Sequence, residues 1–181
     1  MIVRAAAPAD APALAEIYGR HVLHGLGTFE EVPPSAAEME ARRSAVAAHG
    51  LPYLVAEAGG RLLGFAYAAP FRPRAAYRYT VEDSVYVAPD AQGRGVGRAV
   101  LGAVLAACED LGLRQVVAVI GDSGNAGSLA LHRALGFEQK GVGAALGYKH
   151  GRWVDIVWMQ KALNGGADRA PDAPGLRLDG G

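Results

Sequence analysis

Three groups of residues in this chain have types and spacings that could do chemistry. The first is Gln92-Gly93-Arg94-Gly95-Val96-Gly97, which follows an alternating, β-branched run from Thr80 to Val87. After it, apolar residues recur at Val96, Val100, Leu101, Val104, Leu105, Cys108 and Leu111. That pattern predicts a strand, a glycine turn and a helix. The turn would leave backbone N–H groups uncovered at the positive end of the helix, a place for a phosphate-bearing ligand. The second group is Glu82, a carboxylate inside the strand, and His132, a histidine within a short helical pattern. Each could move a proton. The third is Phe71, Arg72, Arg74, Tyr77, Arg78 and Tyr79, guanidiniums among aromatics, suited to the oxygens of a small anionic ligand.

Spacing decides which phosphate ligand the turn could take. A dinucleotide turn needs a third glycine or an alanine at the sixth position. Counted from Gly93 that position is Arg98, and counted from Gly95 it is Val100. A P-loop needs Gly-Lys-Ser/Thr, which is absent. Gln/Arg-x-x-Gly-x-Gly/Ala does fit, although such a turn can also occur with no ligand. Each side chain has its own structural alternative. Strict alternation puts Glu82 on a face with Thr80, Ser84 and Tyr86, where it could be solvated or paired with Arg78. His132 could be a capping or surface residue. Asn125 could simply cap the helix it precedes.

These residues need a scaffold. The pattern predicts a strand over Met1–Ala5 and a helix over Pro8–Val22, with Asp10 as a possible cap. Ser35-Ala36-Ala37-Glu38 is a capping box opening a helix to about Ala48. Tyr53–Ala58 and Arg61–Ala69 flank Gly59-Gly60 as a hairpin. Thr80–Val87 is followed by the glycine-initiated helix, which Gly112 ends. Gln115–Ile120 is a nearly all-apolar strand, Asn125–Leu135 a helix, and Phe137–Leu146 and Arg152–Met159 two last strands. The fold class is α/β (α+β): a mixed, mostly antiparallel sheet of about seven strands with helices on both faces.

This order, with Gly27-Thr28-Phe29-Glu30, Thr80-Val81-Glu82, Gly93-Arg94-Gly95-Val96-Gly97, Asn125, Leu131-His132 and Gly147-Tyr148-Lys149-His150-Gly151-Arg152-Trp153, resembles the GNAT superfamily of N-acetyltransferases. The similarity covers all but the C-terminal end. Within the superfamily the chain is most similar to the phosphinothricin and methionine sulfoximine acetyltransferases. The resemblance implies the acetyltransferase fold and acetyl-CoA as co-substrate, with no metal. It implies that Gly93, Arg94, Gly95, Val96, Gly97 and Arg98 hold the pyrophosphate, and that Val85, Tyr86 and Val87 pair with the pantetheine arm. Asn125 and Ser128 would contact that arm. Glu82 would deprotonate the amine, directly or through water. His132, where many relatives have tyrosine, would protonate the thiolate or help take the amine's proton. A backbone N–H near Tyr86 would meet the thioester oxygen. Phe29, Arg72, Arg74, Tyr77, Arg78, Thr80 and Val81 would form the acceptor site. The implied reaction is direct attack, in a ternary complex, by the α-amine of a small amino acid or toxic analogue. The alternatives are another small amine, a protein N-terminus, or a non-catalytic acyl-CoA-binding module. A homodimer is also implied.

Composition bounds these readings. The chain has 181 residues, with 18 basic and 18 acidic side chains. A balanced charge gives no field favouring nucleic acid or an anionic membrane. No segment reads as a signal peptide or a bilayer span. The single cysteine, Cys108, lies on an apolar stripe and reads as core, which suits a reducing cytoplasm. His21, His24, His49 and His150 lack metal-ligand spacing. Residues 1–163 read as one domain, and 164–181 as a disordered tail rich in Gly, Pro, Asp and Ala.

Overall fold

The computed structural model describes residues 1–178. Its strands are β1 (Ile2–Ala5), β2 (Tyr53–Ala58), β3 (Arg61–Pro70), β4 (Thr80–Val87), β5 (Gln115–Gly121), β6 (Glu138–Lys149) and β7 (Arg152–Ala162). Its helices are α1 (Ala11–His24), α2 (Ala36–Ala48), α3 (Val96–Asp110) and α4 (Ala126–Ala134). All seven strands join one sheet in the order β1-β2-β3-β4-β5-β7-β6. Every pairing is antiparallel except β4 with β5. This is the expected fold class.

Local chemistry accounts for most boundaries. Ser35 caps α2, its hydroxyl accepting from the Glu38 N–H at 3.2 Å. The Glu38 carboxylate turns to Arg42 instead of closing the expected box. α1 starts later than its pattern suggests, because Pro8–Asp10 forms a separate 3-10 turn. The Asp10 side chain caps that turn, accepting from the Ala7 N–H at 2.8 Å, and also receives the Arg4 guanidinium. The β6–β7 turn closes on His150 and Gly151, with φ of +50° and +76°, the left-handed pair that a tight hairpin turn requires.

Side-chain alternation splits the sheet into two faces. Tyr18 and His21 of α1 meet the Tyr86 ring edge-on, so Glu82, Ser84 and Tyr86 look toward α1 and α2. Val81, Asp83 and Val87 look the other way, toward α3 and α4. There Gly64, Ala66 and Ala68 of β3 let α3 come close. Its stripe of Val96, Val100, Leu101, Val104, Leu105 and Cys108 is at most 5% exposed. Burial pushes the Cys108 thiol up to about 12, which fits its reading as a core residue.

The expected disordered tail is packed against the body over its described part. Asn164 donates to the Glu109 and Leu113 carbonyls. Arg114 donates to the carbonyls of Gly166 and Arg169, and the Tyr79 hydroxyl to that of Ala173. The Leu176 N–H bonds the Arg78 carbonyl. Low hydrophobicity misled the reading, because backbone carbonyls and one buried guanidinium hold this segment. Residues 179–181 lie outside the described part.

Packing at two glycines gives a contrasting test. A Cβ on Gly121 would collide with the Leu26 carbonyl of the α1–α2 loop, whereas one on Gly102 would meet only Leu135, at 3.8 Å. Gly121→Ala is expected to lower stability by about 1–3 kcal/mol. Gly102→Ala, in mid-helix, is expected to be neutral or stabilising by up to ~1 kcal/mol. Urea unfolding midpoints check both.

Candidate active site

β4 and β5 run parallel and hydrogen-bonded from Thr80↔Gln115 to Asp83↔Ala118, and there their pairing ends. Beyond it, Ser84–Val87 stay paired to β3 and Val119–Gly121 to β7, but not to each other. A wedge opens with one free strand edge on its β4 side. Such an edge can take an extended, amide-bearing ligand arm as an added strand. The cleft holds about 690 Å³ and is lined by both strands, the glycine turn, α4 and the α1–α2 loop.

The glycine turn sits at one end. Gly93 and Gly95 have φ of +72° and +78°, and a Cβ on either would meet nothing within 4 Å. Glycine is therefore required here by backbone conformation rather than crowding. Gly95 caps α3 without any side-chain hydrogen bond, so the first N–H groups of the helix remain free for an anion. Gly93, Gly95, Val96, Gly97 and Arg98 line the cleft. Arg94 is exposed outside it.

α4 forms the facing wall with Asn125, Gly127, Ser128, Leu131 and His132. The Asn125 side chain caps α4, accepting from the Ser128 N–H at 3.2 Å, and still reaches the cleft. His132 is not a surface residue. It is 2% exposed, with Nε2 3.1 Å from Asp83 Oδ2 and Nδ1 2.8 Å from the Ser128 carbonyl. Burial alone would lower its pKa, but the hydrogen bond and charge of Asp83, with the Ser128 carbonyl, outweigh burial and raise it.

Glu82 points to the opposite face of β4 and does not line the cleft. Half-buried, it makes no side-chain hydrogen bond or ion pair among the described contacts. Burial raises its pKa and the Asp83 charge adds to that, while Arg72 opposes it. A free carboxylate tuned upward suits a proton acceptor. The structure thus sets the two expected catalytic residues on opposite faces of one strand, with its free edge between them.

The expected acceptor residues separate. Arg72 lies over the Phe71 ring at 4.5 Å and is the arginine whose charge reaches Glu82. The Tyr77 ring meets Phe71 edge-on. Arg78 does not pair with Glu82. Its side chain lies where a Cβ on Gly175 would touch it, so it belongs to the C-terminal segment. Arg74 is exposed. Thr80 is half-buried, on the Glu82 face. Val81 is 0% exposed, its side chain packed into the core. Phe29 packs against Gly147 of β6, and the loop carrying it is held by a buried Lys149, which donates to the Thr28 carbonyl at 2.8 Å.

Some cleft residues escaped the sequence reading. Asp83 and Ser84 line it, as do Gly25, Leu26 and Gly27 of the α1–α2 loop. His21 lines it too, donating to the Val87 carbonyl at 2.9 Å, with burial lowering its pKa. One signal for Asp83 was available: it is the only charged residue on the otherwise apolar face of β4. Among the described residues no group of three or more His, Cys, Asp or Glu could hold a metal ion.

Comparison with known proteins agrees with this geometry. The model of the acetyltransferase (GNAT) family matches residues 21–137. A phosphinothricin N-acetyltransferase from Alcaligenes faecalis is 54% identical, over 94% of this chain and 86% of its own. An L-methionine sulfoximine/L-methionine sulfone acetyltransferase from Pseudomonas paraeruginosa is 41% identical, over 90% of this chain and 94% of its own. The crystal structure of a GNAT superfamily phosphinothricin acetyltransferase from Sinorhizobium meliloti, in complex with AcCoA, superposes with a TM-score of 0.91. It is 48% identical and the match covers 94% of this chain and 92% of that one.

The Asp83–His132 pair sets a pH dependence of stability. A histidine pKa raised by folding gives stabilisation that is complete below its unfolded value of about 6.5 and is lost as pH rises through the folded value. The stability advantage of the wild type over the double variant His132→Gln/Asp83→Asn is expected to shrink as pH rises above about 6.5. Urea unfolding at several pH values measures this, and a constant difference would contradict it.

Proposed function

Because this chain belongs to the acetyltransferase (GNAT) family, we propose that it transfers the acetyl group of acetyl-CoA to the α-amine of a small amino acid or toxic analogue. Phosphinothricin, methionine sulfoximine and methionine sulfone are the proposed acceptors, by likeness to the relatives that carry those names. The observation that carries the reading is the wedge between β4 and β5, with a free strand edge and a left-handed glycine turn at its mouth.

The turn and the start of α3 hold the pyrophosphate through backbone N–H groups and the helix dipole. Ser84–Val87 take the pantetheine arm along the strand edge. This places the thioester near where the strands part, beside His132. The amine approaches from the α1–α2 face, where Glu82 removes its proton. Arg72, with Phe71 and Tyr77, binds the acceptor carboxylate or its phosphinate or sulfoximine oxygens. Arg78 and Val81 have no contact with the acceptor in this reading. No acyl-enzyme forms, because the lone cysteine is a buried core thiol. The reading also includes a homodimer, supported by Tyr148 and Trp153, 61% and 66% exposed on the β6–β7 hairpin. It includes a detoxifying role, by likeness to the relatives named for amino-acid analogues, and a cytoplasmic location, which a single free, buried cysteine suits.

Thiol release from acetyl-CoA with a panel of acceptors tests the reading. Turnover with phosphinothricin or methionine sulfone is expected; release with spermidine alone would overturn it, and none at all would leave a binding module. Glu82→Gln is expected to lower kcat by about 10²–10⁴-fold. It should also remove an acidic limb of the pH–rate profile lying above the ordinary carboxylate range, since the base works only when ionised. Arg72→Ala is expected to raise KM for the acceptor and leave acetyl-CoA affinity unchanged.

A further inference from the structure

The loop that carries Arg72 runs from Phe71 to Thr80 and closes on itself. The Phe71 N–H bonds the Thr80 carbonyl at 3.3 Å, so the loop leaves and rejoins the sheet at one point. Its inner contacts are its own. The Tyr77 N–H bonds the Arg74 carbonyl and the Arg78 N–H that of Ala75, in a single 3-10 turn. Arg72 donates to the Phe71 carbonyl and lies over its ring. Arg72, Pro73, Arg74, Ala76, Tyr77 and Arg78 are all exposed. Burial therefore does little to fix where Arg72 stands.

The loop is anchored at its end, through Arg78 and Tyr79. The Tyr79 carbonyl accepts from the N–H groups of Arg114 and Gln115, at 2.9 and 3.2 Å, where β5 begins. The other long-range hydrogen bonds described at these two residues come from the C-terminal segment. The Leu176 N–H bonds the Arg78 carbonyl at 2.8 Å, and the Tyr79 hydroxyl donates to the Ala173 carbonyl at 2.8 Å. Gly175, with φ of +74°, lies against both residues. A Cβ there would stand 2.8 Å from Arg78 Cγ, 2.8 Å from Tyr79 Cε1 and 2.9 Å from the Arg78 carbonyl oxygen. The segment is itself tied back to the body. Arg114, 3% exposed, donates from Nε to the Gly166 carbonyl and from Nη2 to that of Arg169. Through its backbone and its side chain, Arg114 joins the base of the loop to the segment.

We infer that residues 164–176 buttress the Phe71–Thr80 loop, and that Gly175 and Tyr79 are positioning residues that set acceptor binding through Arg72. The inference rests on the reading that Arg72 binds the anionic oxygens of the acceptor. Glu82 does not depend on the buttress, because β4 is paired there on both sides, with Ala69 of β3 and Val117 of β5. The cofactor cleft does not depend on it either, since no residue of the loop or of the segment lines that cleft. Loosening the segment thus has one effect. The acceptor must order Arg72 as it binds, while proton removal and cofactor binding stay as they were.

Steady-state kinetics of the full chain test this, with phosphinothricin or methionine sulfone as acceptor. Gly175→Ala is expected to raise KM for the acceptor by about 2–10-fold, the penalty for ordering one long side chain on binding. It should leave kcat and KM for acetyl-CoA unchanged. Gly59→Ala, in the β2–β3 turn, is the control. Its φ is +58° and a Cβ there meets nothing within 4 Å, so it brings comparable backbone strain away from the loop. Neither KM should move in that variant. An equal rise there, or no rise in Gly175→Ala, would overturn the inference. Because Gly175 acts through Arg72, the double variant Arg72→Ala/Gly175→Ala is expected to keep the acceptor KM of Arg72→Ala alone. Effects that multiply would also count against it. If Gly175→Ala does not fold, Tyr79→Phe, which removes only the hydroxyl bonded to Ala173, takes its place under the same criteria. A wild-type acceptor KM in Arg72→Ala would sink the assignment of Arg72, and the inference with it. A rise in Arg72→Ala with none in Gly175→Ala removes the inference alone.

Discussion

Two strands that run parallel for four residues and then part govern the site. β4 and β5 are neighbours in a sheet whose other pairings are all antiparallel. Each stays bonded on its outer side, to β3 and to β7, so parting leaves inner edges free without unravelling the sheet. Unpaired backbone groups inside a protein are costly unless a ligand or water satisfies them. In the proposed reading an extended ligand arm satisfies them. Because α3 is the crossover between these two strands, its N-terminus falls beside the opening.

β4 gains its chemistry from alternation. Glu82 and Asp83 are adjacent in sequence yet meet different surroundings. Glu82 faces the side covered by α1 and α2, without a fixed partner. Asp83 faces α3 and α4, where His132 closes on it. Burial pushes the Glu82 carboxyl upward, and the charge of Asp83 beside it in the chain adds to that push. The free carboxylate is pushed toward proton uptake and the paired one is committed to His132.

Much of the architecture was legible in the chain. The stripe of α3, the Gly59-Gly60 hairpin and the Ser35 cap are local patterns, readable because their energetics are local. The glycine turn was legible for the same reason, since positive φ at Gly93 and Gly95 is a backbone property. The acceptor side depends on packing as well. Arg72 and Arg78 are equivalent in sequence, and only packing tells that Leu176 and Gly175 claim the second. The C-terminal segment was misread because composition measures its poverty in apolar residues and not the carbonyls that Arg114 gathers.

What the sequence determined by itself was the set of elements, a glycine turn with positive φ at Gly93 and Gly95, and two side chains, Glu82 and His132, of a type able to carry a proton. Tertiary structure decided what surrounds those side chains. The partner of His132 lies 49 residues away, on a strand face that alternation assigns to the core. No local pattern encodes that contact, because it arises from two elements folding against the same sheet face. Which atoms face the two ring nitrogens of His132 is therefore a product of that packing.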